Sequence, residues 1–374
     1  MTDTNTNSPA RFASPFCARF GRRVPLVQAP MAGGPSTPAL VAAVSNAGAL
    51  GFLAAGALAP ETIARDVVET RALMDAERPF GVNLFVLGDA PIGDATVRRA
   101  LDAIDPLRAH FGLPPGQPLT AYAPDFHAQL DVLLEMRVPI VSFTFGIPSQ
   151  ADIARLKAAG SYIIGTATHT AEGLAWRNAG ADAIVAQGAE AGAHRGTFIG
   201  TAKDALIGTM ALVPQLADAT GLPVLAAGGI MDGRGIAAAL ALGAQAAQMG
   251  TAFLTCAESA IPAAWKTRVR AMADTDTSIT DAITGRHARG IRNILMQQLG
   301  AQPENIAPYP VQNALTSELR QRAGRMGDSE YLSLWAGQGA PLGRSRAENM
   351  HAQALVAALD AEWRAAAGAL AVPL

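Results

Sequence analysis

The chain has 374 residues, half of them hydrophobic and 16% charged, with a formal net charge of −2. So few charges, against a usual share of about 25%, fit a large buried interior, and the absence of any Lys/Arg run argues against a nucleic-acid partner. Cys17 and Cys256 are too far apart to suggest a disulfide framework or a metal cage, the N-terminal MTDTNTNSPARFASPF lacks a signal-peptide core, and the longest apolar run (48–59) is too short to span a bilayer, so a cytoplasmic protein with no membrane partner is expected.

Short apolar runs alternate with helical patterns along the chain. RVPLVQAP (23–30) reads as a strand ending in proline, and PALVAAVSNAG (38–48) as a helix stopped by Gly48. A strand at 50–54, a helix at 60–75 and a strand at 79–85 follow. Residues 86–123 break the rhythm with Pro91, Pro106, Pro114, Pro115 and Pro118 and no clear strand. The pattern resumes with a helix at 124–136, a strand at 139–144, a helix at 149–159, a strand at 162–166, a helix at 170–179 and a strand at 182–186. Beyond a long loop (188–203) come a helix from about 204 to 220, a strand at 223–227, a helix at 232–242 and a strand at 246–249.

These eight strands are apolar throughout, as strands buried on both faces are, and their alternation with helices implies parallel pairing. An α/β fold follows, a closed (β/α)8 TIM barrel, with an open doubly wound sheet as the rival. The remainder holds a strand-like TSITDAITG (277–285), an arginine-rich turn and two helical stretches. The expected division is a barrel from 1–85 and 124–273, and a smaller substrate-binding lobe from 86–123 and 274–374 over the barrel mouth.

Function in a barrel collects at the C-terminal strand ends. After 223–227 comes AAGGIMDGRG (226–235), and after the last strand MGTAF (249–253). One Gly-Gly pair such as Gly228–Gly229 would read as a turn. Two glycine-rich ends on consecutive strands, each leading into a helix N-terminus, point instead to a bound phosphate. QAPMAGG (28–34) is a small-residue turn against which a planar ring can lie, or an ordinary Pro-Gly turn. Asn83 ends the third strand, where an amide can serve a carbonyl and an N–H together, or simply cap. The loop AQGAEAGAHRGTF (186–198) puts Gln187, Glu190, His194 and Arg195 at the mouth. A neutral His194 there can take a proton, although a structural histidine fits the position as well. No metal-ligand spacing, HExxH, Walker A loop or GxSxG elbow is present, and GQGAPLG (337–343) has the wrong spacing for a dinucleotide loop.

In sequence these strand ends, QAPMAGG, GVNLF (81–85), SFTFG (142–146), GADAIVAQGAEAGAHRGTF (180–198), PVLAAGGIMDGRGIAAALALGAQAAQMGTAFL (223–254) and AITGRHARGIRN (282–293), resemble the nitronate monooxygenases, formerly 2-nitropropane dioxygenases. YLSLWAGQG (331–339) extends the likeness over nearly the whole chain. AQGAEAGAHRG and MGTAF are specific, whereas QAPMAGG is shared with flavin-dependent enoyl reductases. The pattern is most similar to the class I branch.

The resemblance implies an FMN-binding barrel. Asn83, Gln187, Gly192, Gly228, Gly229, Gln248, Met249, Gly250 and Thr251 would bind FMN, Ala29, Pro30 and Met31 would run beside the isoalloxazine ring, and His194 would be the catalytic base. The implied reaction passes one electron from a nitronate to FMN, giving a flavin semiquinone, and oxygen completes oxidation to a carbonyl compound and nitrite. Propionate 3-nitronate is the implied substrate, its carboxylate drawn to Arg195 or to an arginine of 286–292. Some members carry a histidine where this chain has Thr144. Two other readings use the same loops: an FMN-dependent NAD(P)H:quinone or enoyl-thioester reductase, and a sugar-phosphate aldolase or isomerase. The latter would want a lysine at a strand end, but Lys157, Lys203 and Lys266 fall in helical or helix-start segments.

Overall fold

The computed structural model describes residues 14–75, 78–88 and 92–370; the first thirteen residues, including most of the stretch read for targeting, and Pro91 lie outside them. In chain order the strands are β1 (Leu26–Gln28), β2 (Phe52–Ala54), β3 (Gly81–Phe85), β4 (Ile140–Thr144), β5 (Tyr162–Ala167), β6 (Ala183–Gln187), β7 (Ala193–His194), β8 (Val224–Ala227), β9 (Ala246–Met249), β10 (Thr277–Thr280) and β11 (Ala288–Ile291). Eight of them form one parallel sheet in the order β1-β9-β8-β6-β5-β4-β3-β2. A parallel bridge between Val27 and Leu50 joins the two ends, so the sheet curls into the expected (β/α)8 barrel and not the open alternative.

Alternation along each strand explains why the strands read as apolar throughout. Val27, Phe52, Ile140, Ile164, Val185 and Leu225 belong to one core cluster. Their neighbours Leu26, Leu53, Val141, Ile163, Ile184 and Val224 pack with the surrounding helices in another. A short helix, Pro15–Arg19, stoppers the N-terminal end of the barrel: Phe16 and Cys17 join the first cluster, and the capping Ser14 donates to the Gln245 carbonyl at 2.7 Å.

Five segments depart from expectation. The proline-broken region contains a 17-residue helix, Asp94–His110, with Pro106 inside it. An interior proline removes one helical hydrogen bond, yet Val97, Ala100, Leu101, Ile104 and Leu107 are all buried along this helix, and that burial holds it together. The helix expected from about 204 starts at Thr209. The strand at 277 stops at Thr280, and the arginine-rich segment is a strand, β11, not a turn. The long loop after β6 contributes β7, which pairs with β11 in a three-stranded antiparallel sheet, β10-β11-β7.

Packing also divides the chain differently from the expected domain boundaries. A smaller core joins Ile104, Leu254, Trp265, Val269, Ile283, Leu295 and Leu319, so Trp265 and Val269 side with the lobe. The C-terminal helix Ala352–Leu370 instead sends Leu355, Val356, Leu359 and Trp363 into the barrel core, against the helix Gly233–Ala241. Chain order does not reveal where an amphipathic helix buries its face.

One buried carboxylate ties the loop after β6 to the barrel. Glu172 is fully buried; Oε2 accepts from the Thr168 N–H (2.6 Å) and hydroxyl (2.7 Å), and Oε1 accepts from the N–H groups of Phe198 and Ile199. It thereby fastens the far end of the β6 loop to the end of β5. Glu172→Gln turns an amide N–H₂ toward donors and should cost about 2–3 kcal/mol in urea unfolding; an unchanged midpoint would show that the clasp is dispensable.

Candidate active site

Between the C-terminal strand ends and the smaller lobe lies a cavity of about 370 Å³. The residues expected to bind the cofactor and the expected base line it: Ala29, Pro30 and Met31 after β1, Asn83 on β3, Gln187, Gly192 and His194 at and after β6, Gly228 and Gly229 after β8, and Gln248, Met249, Gly250 and Thr251 at β9. The lobe adds Tyr309, Asn313, Ser317, Arg320 and Trp335; only Trp335, in YLSLWAGQG, fell within a segment quoted for the resemblance.

At the β8 and β9 ends the backbone makes an anion cradle. Gly228 (φ 119°) and Gly229 (φ 72°) take conformations unsuited to other residues, and their N–H groups donate to no protein acceptor among the described residues. Thr251 opens the helix Thr251–Leu254, and its hydroxyl accepts from the Gly337 N–H at 2.9 Å. Gly339 lies so close that a Cβ there would stand 2.3 Å from the Gly229 carbonyl oxygen. The Gly-Gln-Gly segment set aside as a failed dinucleotide loop therefore walls the cradle. Its paired glycines signalled close backbone approach; only the fold shows to what.

The turn after β1 is braced by Gln28, whose amide donates to the Ala29 carbonyl and to Ser36 Oγ (2.9 Å), while Ser36 accepts from the Met31 N–H (2.9 Å). Asn83 donates to Ser142 Oγ (2.9 Å) and Thr144 Oγ1 (3.2 Å), which leaves its Oδ1 as an acceptor.

His194 is held by its backbone. It pairs with Ala288 across β7 and β11, its carbonyl accepts from Gln187 Nε2 at 2.9 Å, and Gln187 Oε1 accepts from the Gly196 N–H at 2.7 Å. The ring stands 2.8 Å from Thr284 Oγ1 through Nε2, and its neighbours are Phe145, Tyr309 and Trp335, with ring centroids 5.7, 5.5 and 5.7 Å away. Desolvation in this aromatic box, and then the charges of Arg286 and Arg320, push its pKa down to about 3, so the imidazole is neutral near pH 7. Burial likewise pushes the Tyr309 phenol up to about 12. Positive φ angles at Phe145 (81°), Ala193 (62°) and Leu334 (44°) cluster around this box, where the surrounding packing enforces them.

The arginines expected to meet a substrate carboxylate do other work. Arg195 is 1% exposed, and its guanidinium donates to the carbonyls of Gly188 (2.6 Å), Gln187 (3.0 Å) and Ala205 (3.0 Å). Arg286 donates to the carbonyls of Arg195 and Thr197 and lies 3.9 Å over the Phe145 ring. Arg289 serves the Ala189 carbonyl (3.0 Å) and Thr277 Oγ1 (3.1 Å), and Arg292 is exposed. None of the four lines the cavity. A buried loop has carbonyls to satisfy, and the nearest guanidinium goes to them first. Glu190, also placed at the mouth, accepts from the Thr209 N–H and hydroxyl and braces the loop beneath Gly228.

Fold and site together define a barrel enzyme with an anion cradle at consecutive strand ends and a neutral, buried imidazole in the same cavity. Comparison with known proteins narrows that class. The family model for nitronate monooxygenase matches residues 15–362. A protein of Staphylococcus saprophyticus named probable nitronate monooxygenase is 42% identical over 336 residues, 89% of this chain and 93% of its own, and one of Bacillus subtilis is 40% identical over 330 residues, 87% and 92%. Among solved structures, nitroalkane oxidase from Streptomyces ansochromogenes superposes with a TM-score of 0.85 at 42% identity, covering 93% of this chain and 98% of that one. FabK from Thermotoga maritima gives 0.74 at 29% identity, covering 96% and 98%. The chain belongs to the nitronate monooxygenase family and is an enzyme, a flavin-dependent oxidoreductase. Among the described residues no helix is long and apolar enough to cross a membrane.

The depressed His194 pKa has a consequence for stability. Between about 3 and the usual 6.5 the unfolded chain binds a proton at this residue that the folded chain refuses, so stability is intact above 6.5 and falls as the pH drops. From pH 6.5 to 5 the loss at this one residue should be on the order of 1–2 kcal/mol. Urea unfolding of the ligand-free wild type and of His194→Asn should therefore converge as the pH falls; parallel pH curves would contradict the assignment.

Proposed function

We propose that this enzyme oxidises alkyl nitronates, propionate 3-nitronate among them, using FMN held in the cavity and oxygen as co-substrate, with a carbonyl compound and nitrite as products. The observation that carries this is the neutral His194 in a cavity under the influence of two buried cations, Arg286 and Arg320, whose lining also includes the glycine-rich anion cradle. The residues present fit the mononucleotide. The unpartnered N–H groups of Gly228 and Gly229, with Gly250 and Thr251, suit a phosphate. Ala29, Pro30 and Met31 offer a braced surface of small contour beside a planar ring, and Gly192, Gln187 and Met249 complete the surround. Asn83 Oδ1 and the Gln248 amide, neither with a protein partner among the described residues, can meet ring polar atoms. Bound there, the flavin supplies the electron-accepting ring and its reoxidation by oxygen.

The protein's part is to select and hold the anion. A nitronate brings the negative charge that Arg286 and Arg320 favour. A neutral nitroalkane must first lose its α-proton, and His194 is the base within the cavity; among the described residues it is the only imidazole lining it. The same two cations disfavour the imidazolium that this proton transfer creates, so His194 is a weak base and preformed nitronates are the better substrates. Thr144, where some relatives of the family type carry histidine, accepts from Asn83 and has no acid–base role to offer.

His194→Asn should lose at least 100-fold in turnover of neutral nitroalkanes and stay within about 10-fold of wild type on preformed nitronates, read as nitrite release. Equal loss on both, with flavin still bound, would overturn the base assignment.

A further inference from the structure

The two ring nitrogens of His194 have unlike surroundings. Nε2 stands 2.8 Å from Thr284 Oγ1. Nδ1 has no hydrogen-bond partner among the described residues, and it is not one of the unpartnered atoms sealed from solvent, as Arg195 Nε and Trp265 Nε1 are. In a residue that lines the cavity, the open nitrogen is the one a ligand reaches.

Thr284 itself is 1% exposed and stands behind the cavity wall, in the turn after β10. That turn is fastened from several sides. The N–H groups of Thr284 and Gly285 donate to the Asp281 carbonyl (3.2 and 2.7 Å), the Ile283 carbonyl accepts from the Thr316 hydroxyl (2.8 Å), and the Gly285 carbonyl accepts from the Tyr309 N–H (3.1 Å). The Thr284 hydroxyl has two neighbours, His194 Nε2 and the Arg286 carbonyl at 3.3 Å. A hydroxyl has one hydrogen to give, and a carbonyl can only accept. The Arg286 carbonyl has no other donor among the described residues. Both contacts are hydrogen bonds only when the Thr284 hydrogen goes to the carbonyl and Nε2 donates its own hydrogen to Oγ1. The reverse arrangement, with Thr284 donating to the ring, leaves the carbonyl unpaired. A neutral imidazole carries one hydrogen, so with Nε2 protonated Nδ1 keeps its lone pair.

We propose that Thr284 is a positioning residue that sets the tautomer of His194, so that Nδ1 is the atom that takes the α-proton of a neutral nitroalkane. The proposal rests on the nitronate-oxidising reading. In the step, the substrate C–H bond breaks, its electron pair stays on the substrate as the nitronate, and the proton bonds to Nδ1. The imidazolium still donates through Nε2 to Thr284, whose own hydrogen ends on the Arg286 carbonyl. This chain of acceptors favours the charged ring and opposes the guanidinium groups of Arg286 and Arg320 that act on it; Tyr309 is the other titratable group beside it.

Nitrogen NMR of the flavin-loaded protein, isotopically labelled at histidine and held at neutral pH, reads the tautomer directly, the His194 signals being assigned by their loss in His194→Asn. The proton should sit on Nε2; a proton on Nδ1 overturns the proposal. Turnover gives a second readout, with nitroethane and ethyl nitronate, which differ only by the α-proton. In Thr284→Val, which keeps the shape and deletes the hydroxyl, the ratio of kcat/KM for nitroethane to that for ethyl nitronate should fall about 10-fold, and in Thr284→Ser it should return to within about 3-fold of wild type. A Thr284 that served only the fold would lower both substrates together, so an unchanged ratio in Thr284→Val, with flavin content as in wild type, overturns the proposal. Should Thr284→Val fail to fold, the tautomer found in the wild type decides alone. If the wild type oxidises neither substrate, the nitronate reading fails separately; a proton on Nε2 still supports the tautomer assignment, and one on Nδ1 overturns it.

Discussion

A loop that carries a chemical group over a barrel mouth must satisfy its own backbone on the buried side, and here Arg195 meets that demand. Its guanidinium takes the carbonyls of Gln187, Gly188 and Ala205, closing the base of the β6 loop into a rigid ring. The Gln187 amide spans the next stretch, binding the His194 carbonyl and the Gly196 N–H. With β7 paired to β11, the imidazole is then positioned from the barrel and from the lobe together. The placing of the imidazole inherits this arrangement, and the lobe is registered on the barrel because the loop supplies one of its strands.

Charge is concentrated where composition hides it. A chain with net charge −2 gathers Arg195, Arg286, Arg289 and Arg320 around one cavity, and desolvation lowers the pKa of each while leaving it protonated at neutral pH. All four are compensated by oxygen acceptors of the backbone, a hydroxyl, an amide or an aromatic face, and none by a paired carboxylate among the described residues. Burial, and then the resulting field, keeps His194 neutral, and that field suits an anionic ligand better than its conjugate acid.

The barrel was legible because parallel strands buried on both faces leave uninterrupted apolar runs, and because glycines at strand ends mark close approach. The same logic found Gly228, Gly229, Gly250 and His194, since each sits on the β-strand rhythm. What lay beyond it depended on long-range packing. Pro106 concealed a helix that burial stabilises, and β11 read as a turn because the pairings that make it a strand, with β10 and with β7, are made only in the folded chain. The C-terminal helix carried no sign of which core it would join. Arg195 sat beside His194 and looked equally functional, whereas its chemistry is decided by three carbonyls that only the folded loop brings together. Arg320 lies in a polar helical stretch, SELRQRAGRM, where nothing local separates it from its exposed neighbours.

The claim on which the account turns is that electrons enter this flavin site from a nitronate and not from a nicotinamide. Anaerobic rapid mixing of the purified, flavin-loaded protein with propionate 3-nitronate, and separately with NADH and NADPH, tests it directly. The account predicts a prompt change in the visible flavin absorbance with the nitronate and none with either nicotinamide. Rapid bleaching by NADH or NADPH, with no response to the nitronate, would contradict it and identify a reductase.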